Sequence, residues 1–238
     1  MEQLVGTLVK VLLVAFIVGM FAIVFVVSRR GRKQTEQVRD EYAQLRRLAP
    51  ERGWTYTAHT QGQIDQYCGV GPFPRSGENL SAFHYTTGEF RGRPFIYFEY
   101  RYNNPMSGGE VAERKQLIVE SVFFVKAPGS GPKVEIYRPG RLDALMDRRT
   151  KIQLGEPEFD QKFSIATRDE AAVRDLLSGG LVPFLLSDPR AEDSPVALRG
   201  DDLFTWYTGT LSPQAVDERL NYLCDVLERI PAQAWTAA

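Results

Sequence analysis

Hydrophobic and polar positions follow three different rhythms along this chain. From Val11 to Ser28 there is none, because the run VLLVAFIVGMFAIVFVVS carries no charge. With Leu4 to Val9 around a single Lys10 it is long enough to cross a hydrocarbon core, which takes about 20 apolar residues for roughly 30 Å. After Arg29, Arg30, Arg32 and Lys33, the apolar residues Val38, Tyr42, Leu45 and Leu48 recur at helical spacing until Pro50 and Gly53 stop them. The rhythm then shortens to two, which marks strands.

Strands are predicted at Trp54–Thr57, at Leu80–Thr86 entering a hairpin near Gly88 and Arg91-Gly92-Arg93, and at Phe95–Tyr102. In the last of these Ile96, Phe98, Tyr100 and Tyr102 share one face and Tyr97, Glu99 and Arg101 the other. Leu117–Val125 and Lys133–Tyr137 read as two further strands separated by the turn-rich Pro128-Gly129-Ser130-Gly131-Pro132. Together they suggest an antiparallel meander.

The remainder mixes elements. Phe163–Ala166 is a strand candidate running into Thr167-Arg168-Asp169-Glu170, a capping-box pattern that predicts a helix with Ala172, Val173, Leu176 and Leu177 inward and Gly179-Gly180 at its end. A short helix through Leu185-Leu186 follows. Val196–Leu198 and Leu203–Tyr207 then read as a hairpin across Gly200-Asp201-Asp202. Ser212-Pro213 opens a long amphipathic helix whose Val216, Leu220, Leu223, Leu227 and Ile230 form one apolar face, ended by Pro231. The expected fold is α+β: an N-terminal transmembrane helix, an antiparallel sheet packed with helices, and a long C-terminal helix. The expected organisation is an anchor with basic stop over 1–33, a juxtamembrane helical linker over 34–53 and a domain over 54–238, with a subdivision near 140–158.

Charge gives the apolar run a direction. A secretory signal puts its cations before a shorter run and ends at small residues, whereas here Val26-Val27-Ser28 leads straight into the basic cluster. Lys/Arg excess marks the cytoplasmic flank. The expectation is therefore a single-pass signal anchor in the plasma membrane with the C-terminal domain in the cytoplasm; Lys10 is the opposing charge, able to snorkel to either surface. Within the run Ala15, Gly19 and Ala22 are spaced for close helix packing, which allows a homodimer.

Composition narrows the chemistry. With 29 basic and 30 acidic residues, global charge gives no argument for nucleic acid. Cys68 and Cys224 are far apart and match no metal spacing or dense disulfide framework, which suits a reducing compartment. His59 and His84 are the only histidines, so a thiol nucleophile would draw on Cys68 with one of them. The stretch from Cys68 to Gly77 is glycine-rich but lacks the Lys-Ser/Thr ending of a P-loop, and its prolines remove amides; it reads as a loop. No catalytic, metal or cofactor-binding residues are assigned and no cofactor is expected. Membrane or partner contact is assigned to Arg29, Arg30, Arg32, Lys33, Arg141, Arg148 and Arg149, with Arg39, Arg46 and Arg47 of the linker as further candidates for anionic headgroups.

The sequence ERGWTYT, then GRPFIYFEYRY at 92–102, FDQKFSIATRDEAAVRDLL at 159–177, LLSDPR at 185–190 and LRGDDLFTWYTGTLSP before the last helix, all behind a single span, resembles uncharacterised membrane-anchored proteins of high-GC Gram-positive bacteria. The resemblance implies a bacterial plasma-membrane location and an α+β domain, and no activity. Two readings follow: a membrane-tethered binding or scaffold module, with lipid and a protein or lipid-headgroup partner, or a membrane-associated enzyme, such as a hydrolase, whose residues converge only on folding.

Overall fold

The computed structural model describes Met20, Arg29, Lys33 and residues 35–103, 117–138 and 151–236. The chain divides into two units, 1–43 and 44–238. In the first, residues 35–43 are helical. The expected anchor lies outside the described residues apart from Met20, Arg29 and Lys33; among the described residues no helix is long and apolar enough to cross a membrane.

The larger unit opens with helix α1, residues 44–51, which buries Leu45 and Ala49. A seven-stranded antiparallel sheet follows, packed with helices, in the α+β class. Its strands are β1 (Thr55–Gln61), β2 (Ser81–Phe90), β3 (Arg93–Asn103), β4 (Leu117–Tyr137), β5 (Lys151–Ile152), β6 (Ser164–Thr167) and β7 (Val196–Thr208). Helices α2 (Pro157–Lys162), α3 (Glu170–Leu177), α4 (Leu181–Ser187) and α5 (Pro213–Leu227) complete it. The sheet order is β1-β2-β3-β4-β6-β5, with β7 paired along β4.

The β2–β3 hairpin forms where expected. Phe90 pairs with Arg93, and the two residues between them, Arg91 and Gly92, have φ of 51° and 74°. That is the mirror-image turn whose twist suits a two-residue hairpin. A non-glycine residue at positive φ is unfavourable, and here Arg91 also forms ion pairs to Asp225 of α5 (2.7 Å) and to Glu228 just after it (2.6 Å).

Two expected reversals are absent. Leu117–Tyr137 is one strand, and so is Val196–Thr208. The turn-type residues make a paired irregularity instead: Gly131 lies opposite Gly200, with the β4–β7 register shifting on both sides of Gly131. A Cβ on Gly131 would come within 2.5 Å of Leu198 Cδ2. Glycine here lets two long strands bend together, and bulges of this kind increase local twist without ending pairing. Thr236 closes over the same place, exchanging backbone hydrogen bonds with Ser130.

The capping of α3 also differs from expectation. Asp169, not Thr167, accepts from the Ala172 amide, while the Thr167 hydroxyl donates to the Lys133 carbonyl and Glu170 pairs with Arg174. The start of the last helix is as expected, with Ser212 accepting from the Ala215 amide and Pro213 in the first turn, but the helix ends at Leu227, so Ile230, expected on its face, lies in the turn beyond it.

Both faces of the central strands are covered. On one, Phe98 and Tyr100 of β3, Val122 and Phe124 of β4 and Phe204 and Trp206 of β7 meet Ile64, Tyr67, Val70 and Phe73, which come from the segment joining β1 to β2. On the other, α5 packs over β4 and β7 with Val216, Leu220, Leu223 and Leu227 buried, and Trp54 packs edge-on to Phe95 at 4.7 Å. Tyr97, fully buried, takes its place there, so neither face of β3 is a free aromatic platform. Thr205 of β7 is also fully buried, and among the described residues its hydroxyl has no hydrogen-bond partner. Thr205→Val keeps the shape and removes the orphan, so it should raise unfolding free energy by about 1 kcal/mol. A loss of similar size in a urea titration would mean that a bound water satisfies the hydroxyl.

Candidate functional site

The open end of the sheet, made by β1, β2 and β3, gathers polar and aromatic side chains from four elements. Its organiser is a bulge in β2. Phe83 pairs with Glu99 and Thr86 with Tyr97, so His84 and Tyr85 together stand opposite Phe98. His84 has φ of 54°, a left-handed conformation that costs a β-strand residue about 1–2 kcal/mol and belongs with bulges that re-aim side chains. Tyr85 stacks on Phe98 at 5.9 Å in one core face, while His84 joins Tyr56, Glu99 and Arg101.

The hydrogen bonds assign direction within this group. His84 Nδ1 is 2.8 Å from the Tyr56 hydroxyl, and Arg101 Nη2 is 3.5 Å from His84 Nε2. A guanidinium only donates, so Nε2 accepts and the proton of the neutral imidazole is assigned to Nδ1. Nδ1–H then donates to the Tyr56 oxygen, which leaves the tyrosine proton pointing elsewhere. Glu99 is fully buried and holds the group from below. Its Oε2 accepts from Arg101 Nε (3.0 Å) and Nη2 (2.7 Å), and its Oε1 accepts from the Leu211 amide at 2.8 Å. One carboxylate thus fixes Arg101 and ties the segment before α5 to the sheet.

Rings and cations finish the surface. Arg101 lies 4.3 Å from the Phe83 centroid, the Phe83 and His59 rings are 4.8 Å apart, and Arg46 of α1 sits 5.8 Å from the Tyr56 centroid. Burial pushes the His84 pKa below the usual imidazole range; Arg101 and Arg46 push the same way and Glu99 opposes. The imidazole is therefore neutral at pH 7. Arg46 and Arg101 against Glu99 leave these three groups with an excess of positive charge.

A second polar group lies on the opposite face of the sheet, where Glu120 pairs with Tyr100 of β3. Glu120 of β4 is buried, accepts from the Thr208 hydroxyl at 3.1 and 3.3 Å, and interacts with Tyr102. Burial raises its pKa to about 7, against the lowering effect of those two hydrogen bonds, and Tyr102 is pushed up to about 12, chiefly by burial.

The other sequence candidates fall elsewhere. Cys68 belongs to the strap joining β1 and β2, on the sheet face opposite Glu99 and Arg101; its thiol donates to the Gly77 carbonyl at 3.7 Å, and burial raises its pKa. The structure thus brings both histidines to one cluster and places the cysteine in the strap. The glycine-rich strap points amides at protein: Gly71 N donates to Glu135 Oε1 (3.2 Å), and Asp65 accepts from the amides of Asn79 and Leu80 at 2.8 Å. Cys224 is buried in α5. Arg29 and Lys33 are exposed helical residues; Arg30, Arg32, Arg141, Arg148 and Arg149 lie outside the described residues. Arg138, beside that run, pairs with Glu192 at 2.9 Å and stacks over Phe163. Among the described residues no group of three or more His, Cys, Asp or Glu is placed to hold a metal ion.

Sequence reasoning named His84 only as a partner for Cys68, and Arg46 only as one cation of a helix. Tyr56 and Glu99 carried no signal of their own. The hint was a polar Glu99 and Arg101 on the clearest strand, which places both on one face.

The chain matches no protein-family model and no curated protein sequence. Its fold is similar to the crystal structure of the mycobacterial trehalose monomycolate transport factor A, TtfA, with a TM-score of 0.55 over 81% of this chain and 97% of that one, at 14% sequence identity. At that identity the likeness concerns the fold.

Proposed function

We propose that this chain is a membrane-tethered accessory module of envelope-lipid transport, held by the apolar run Val11 to Ser28 with its α+β domain on the cytoplasmic side. It belongs, on this reading, with the membrane-anchored proteins of high-GC Gram-positive bacteria that its motifs resemble. The observation that carries it is the fold shared with a lipid transport factor across nearly that protein's whole length. Two further features support it. The basic cluster Arg29 to Lys33 follows the apolar run on the side that the charge rule puts in the cytoplasm, and the Tyr56, His84, Glu99, Arg101 group offers recognition chemistry at an open sheet end. On this reading Arg141, Arg148 and Arg149 of the sequence supply further cations for lipid or protein contact.

The test is a labelled-lipid export assay in the native host. Deleting the chain should leave newly made envelope lipid inside the plasma membrane while synthesis continues, and the full-length protein should restore export. Unchanged export in the deletion strain would overturn the role. For topology, a C-terminal reporter that works only after export should stay inactive; its activity would move the domain to the other side.

The hydrolase reading has one observation in its favour, the partly protonated Glu120 beside Tyr102, since a carboxyl titrating near neutrality suits general acid catalysis. Hydrolysis that survived Glu120→Gln would remove that support.

A further inference from the structure

We propose that Arg46, Tyr56, His84 and Arg101 form a binding site for a phosphate-type oxyanion, with the phosphate of a lipid headgroup as its source at the membrane. The site rests on the reading above only for that source, because the recognition chemistry stands on the geometry of the sheet end.

The donors converge. The Arg101-to-His84 contact assigns the imidazole proton to Nδ1, and Nδ1–H occupies the Tyr56 oxygen at 2.8 Å. The Tyr56 hydroxyl then has its own proton to give. Arg46 leans over the Tyr56 ring and, among the described residues, has no carboxylate partner. Arg46 is an exposed side chain of α1 whose charge still acts on the His84 imidazole. Arg101 supplies a second cation, held in place by the buried Glu99 rather than by mobile solvent. A phosphoryl oxygen seated against the Tyr56 hydroxyl and the Arg46 guanidinium makes two charge-assisted hydrogen bonds of the strong kind. It also meets the excess positive charge of these groups.

The strained backbone has a place in this account. A regular β2 would give the bulge position to a side chain following the pleat, and the left-handed φ of His84 instead sets the imidazole between Tyr56 and Arg101. Strain of that kind accumulates at binding sites, where the surroundings hold it. Among the described residues, the groups facing His84 include Arg46 from α1, Tyr56 from β1, and Glu99 and Arg101 from β3. Adding a singly charged phosphate cancels the net positive charge of Arg46, Arg101 and Glu99 and raises the imidazole pKa. At constant phosphate charge, binding therefore tightens as pH falls through the raised His84 pKa, by at most about tenfold per pH unit for one coupled proton.

The chain has two histidines, His59 and His84, so histidine-selective isotope labelling gives one reporter hydrogen-bonded within the site and a second, exposed one at its rim beside Phe83. The full-length protein is placed in nanodiscs of phosphatidylcholine alone and titrated with inorganic phosphate, then compared with discs containing phosphatidic acid. A saturable shift of the His84 resonance, with a raised His84 pKa, is expected in the phosphatidic acid discs. Arg46→Gln, a surface change outside the core, should weaken the response about tenfold or more, and Tyr56→Phe should weaken it while leaving the ring over which Arg46 packs. A response to inorganic phosphate in phosphatidylcholine discs establishes the oxyanion site but assigns it to a soluble ligand. No saturable His84 shift in either arm overturns the proposal, as does a shift unchanged in Arg46→Gln. A response to trehalose with none to phosphate also overturns it and identifies a sugar site. None of these results depends on the export assay, so the two readings fail separately.

Discussion

Phe124→Ala lowers the unfolding free energy by about 4 kcal/mol, the cost expected for truncating a fully buried aromatic side chain. Phe124 is 1% exposed at the middle of β4, and three rings meet it: Tyr67 from the strap at 4.2 Å, Phe204 from β7 at 4.8 Å and Phe98 from β3 at 5.9 Å. Removing it takes away both the transfer free energy of the ring and the contacts of three neighbours that lie on separate elements and cannot all close the gap. In a chain of this size the midpoint of thermal unfolding should fall by roughly 8–16 °C. Leu117→Ala is the control: Leu117 is 58% exposed on the same strand and its truncation should cost under about 0.5 kcal/mol. A loss below about 2 kcal/mol for Phe124→Ala would show that the strap collapses into the space.

The second large effect is a pH dependence with its origin in Glu120. Its folded-state pKa is about 7, raised by burial from the ordinary carboxyl value of about 4.5. Below the unfolded pKa both states hold the proton and Glu120 contributes no slope. As pH rises from there to about 7, the unfolded state gives up its proton first, so folding becomes progressively less favourable; above about 7 the full penalty, roughly 3 kcal/mol, is present. Because part of the penalty is already present at pH 5, wild type should be less stable at about pH 8 than at pH 5 by about 2.5 kcal/mol, relative to Glu120→Gln, which has no titration there. The comparison with the variant matters because the lowered pKa of His84 gives the opposite slope: a neutral buried imidazole loses stability as pH falls. Urea titrations of both proteins across that range separate the two, and parallel curves would show that Glu120 is ionised and well solvated in the folded state.

The sequence carried the elements whose cause is local. The apolar face of α5 with its Ser212 cap, the Arg91-Gly92 turn and the pairing of β2 with β3 follow from spacing and turn chemistry within a few residues. Pro128 to Pro132 and Gly200 to Asp202 misled for the same reason. Turn-type residues announce a change of direction, and only the opposite strand decides whether that change is a reversal or a bend shared by two strands. Gly131 meets Gly200 across the ladder, a relation between positions far apart in sequence. The candidate site was illegible for a related cause. Tyr56, His84 and Arg101 are brought together by a one-residue bulge in β2, and a bulge leaves no periodic signature strong enough to read.

The long β4 also sets the order in which the protein can be made. Its first half has β3 available at once, but its whole other edge waits for β7, and the second half waits for β6 as well. At synthesis rates of about 5–20 residues per second, the interval between the end of β4 and the end of β7 is several seconds, during which Phe123, Phe124 and Val125 have no partner strand on that side. Such non-local pairing slows folding. A nascent chain paused between these strands is a target for chaperones, and termination between Tyr137 and Val196 yields a product with an unprotected apolar edge.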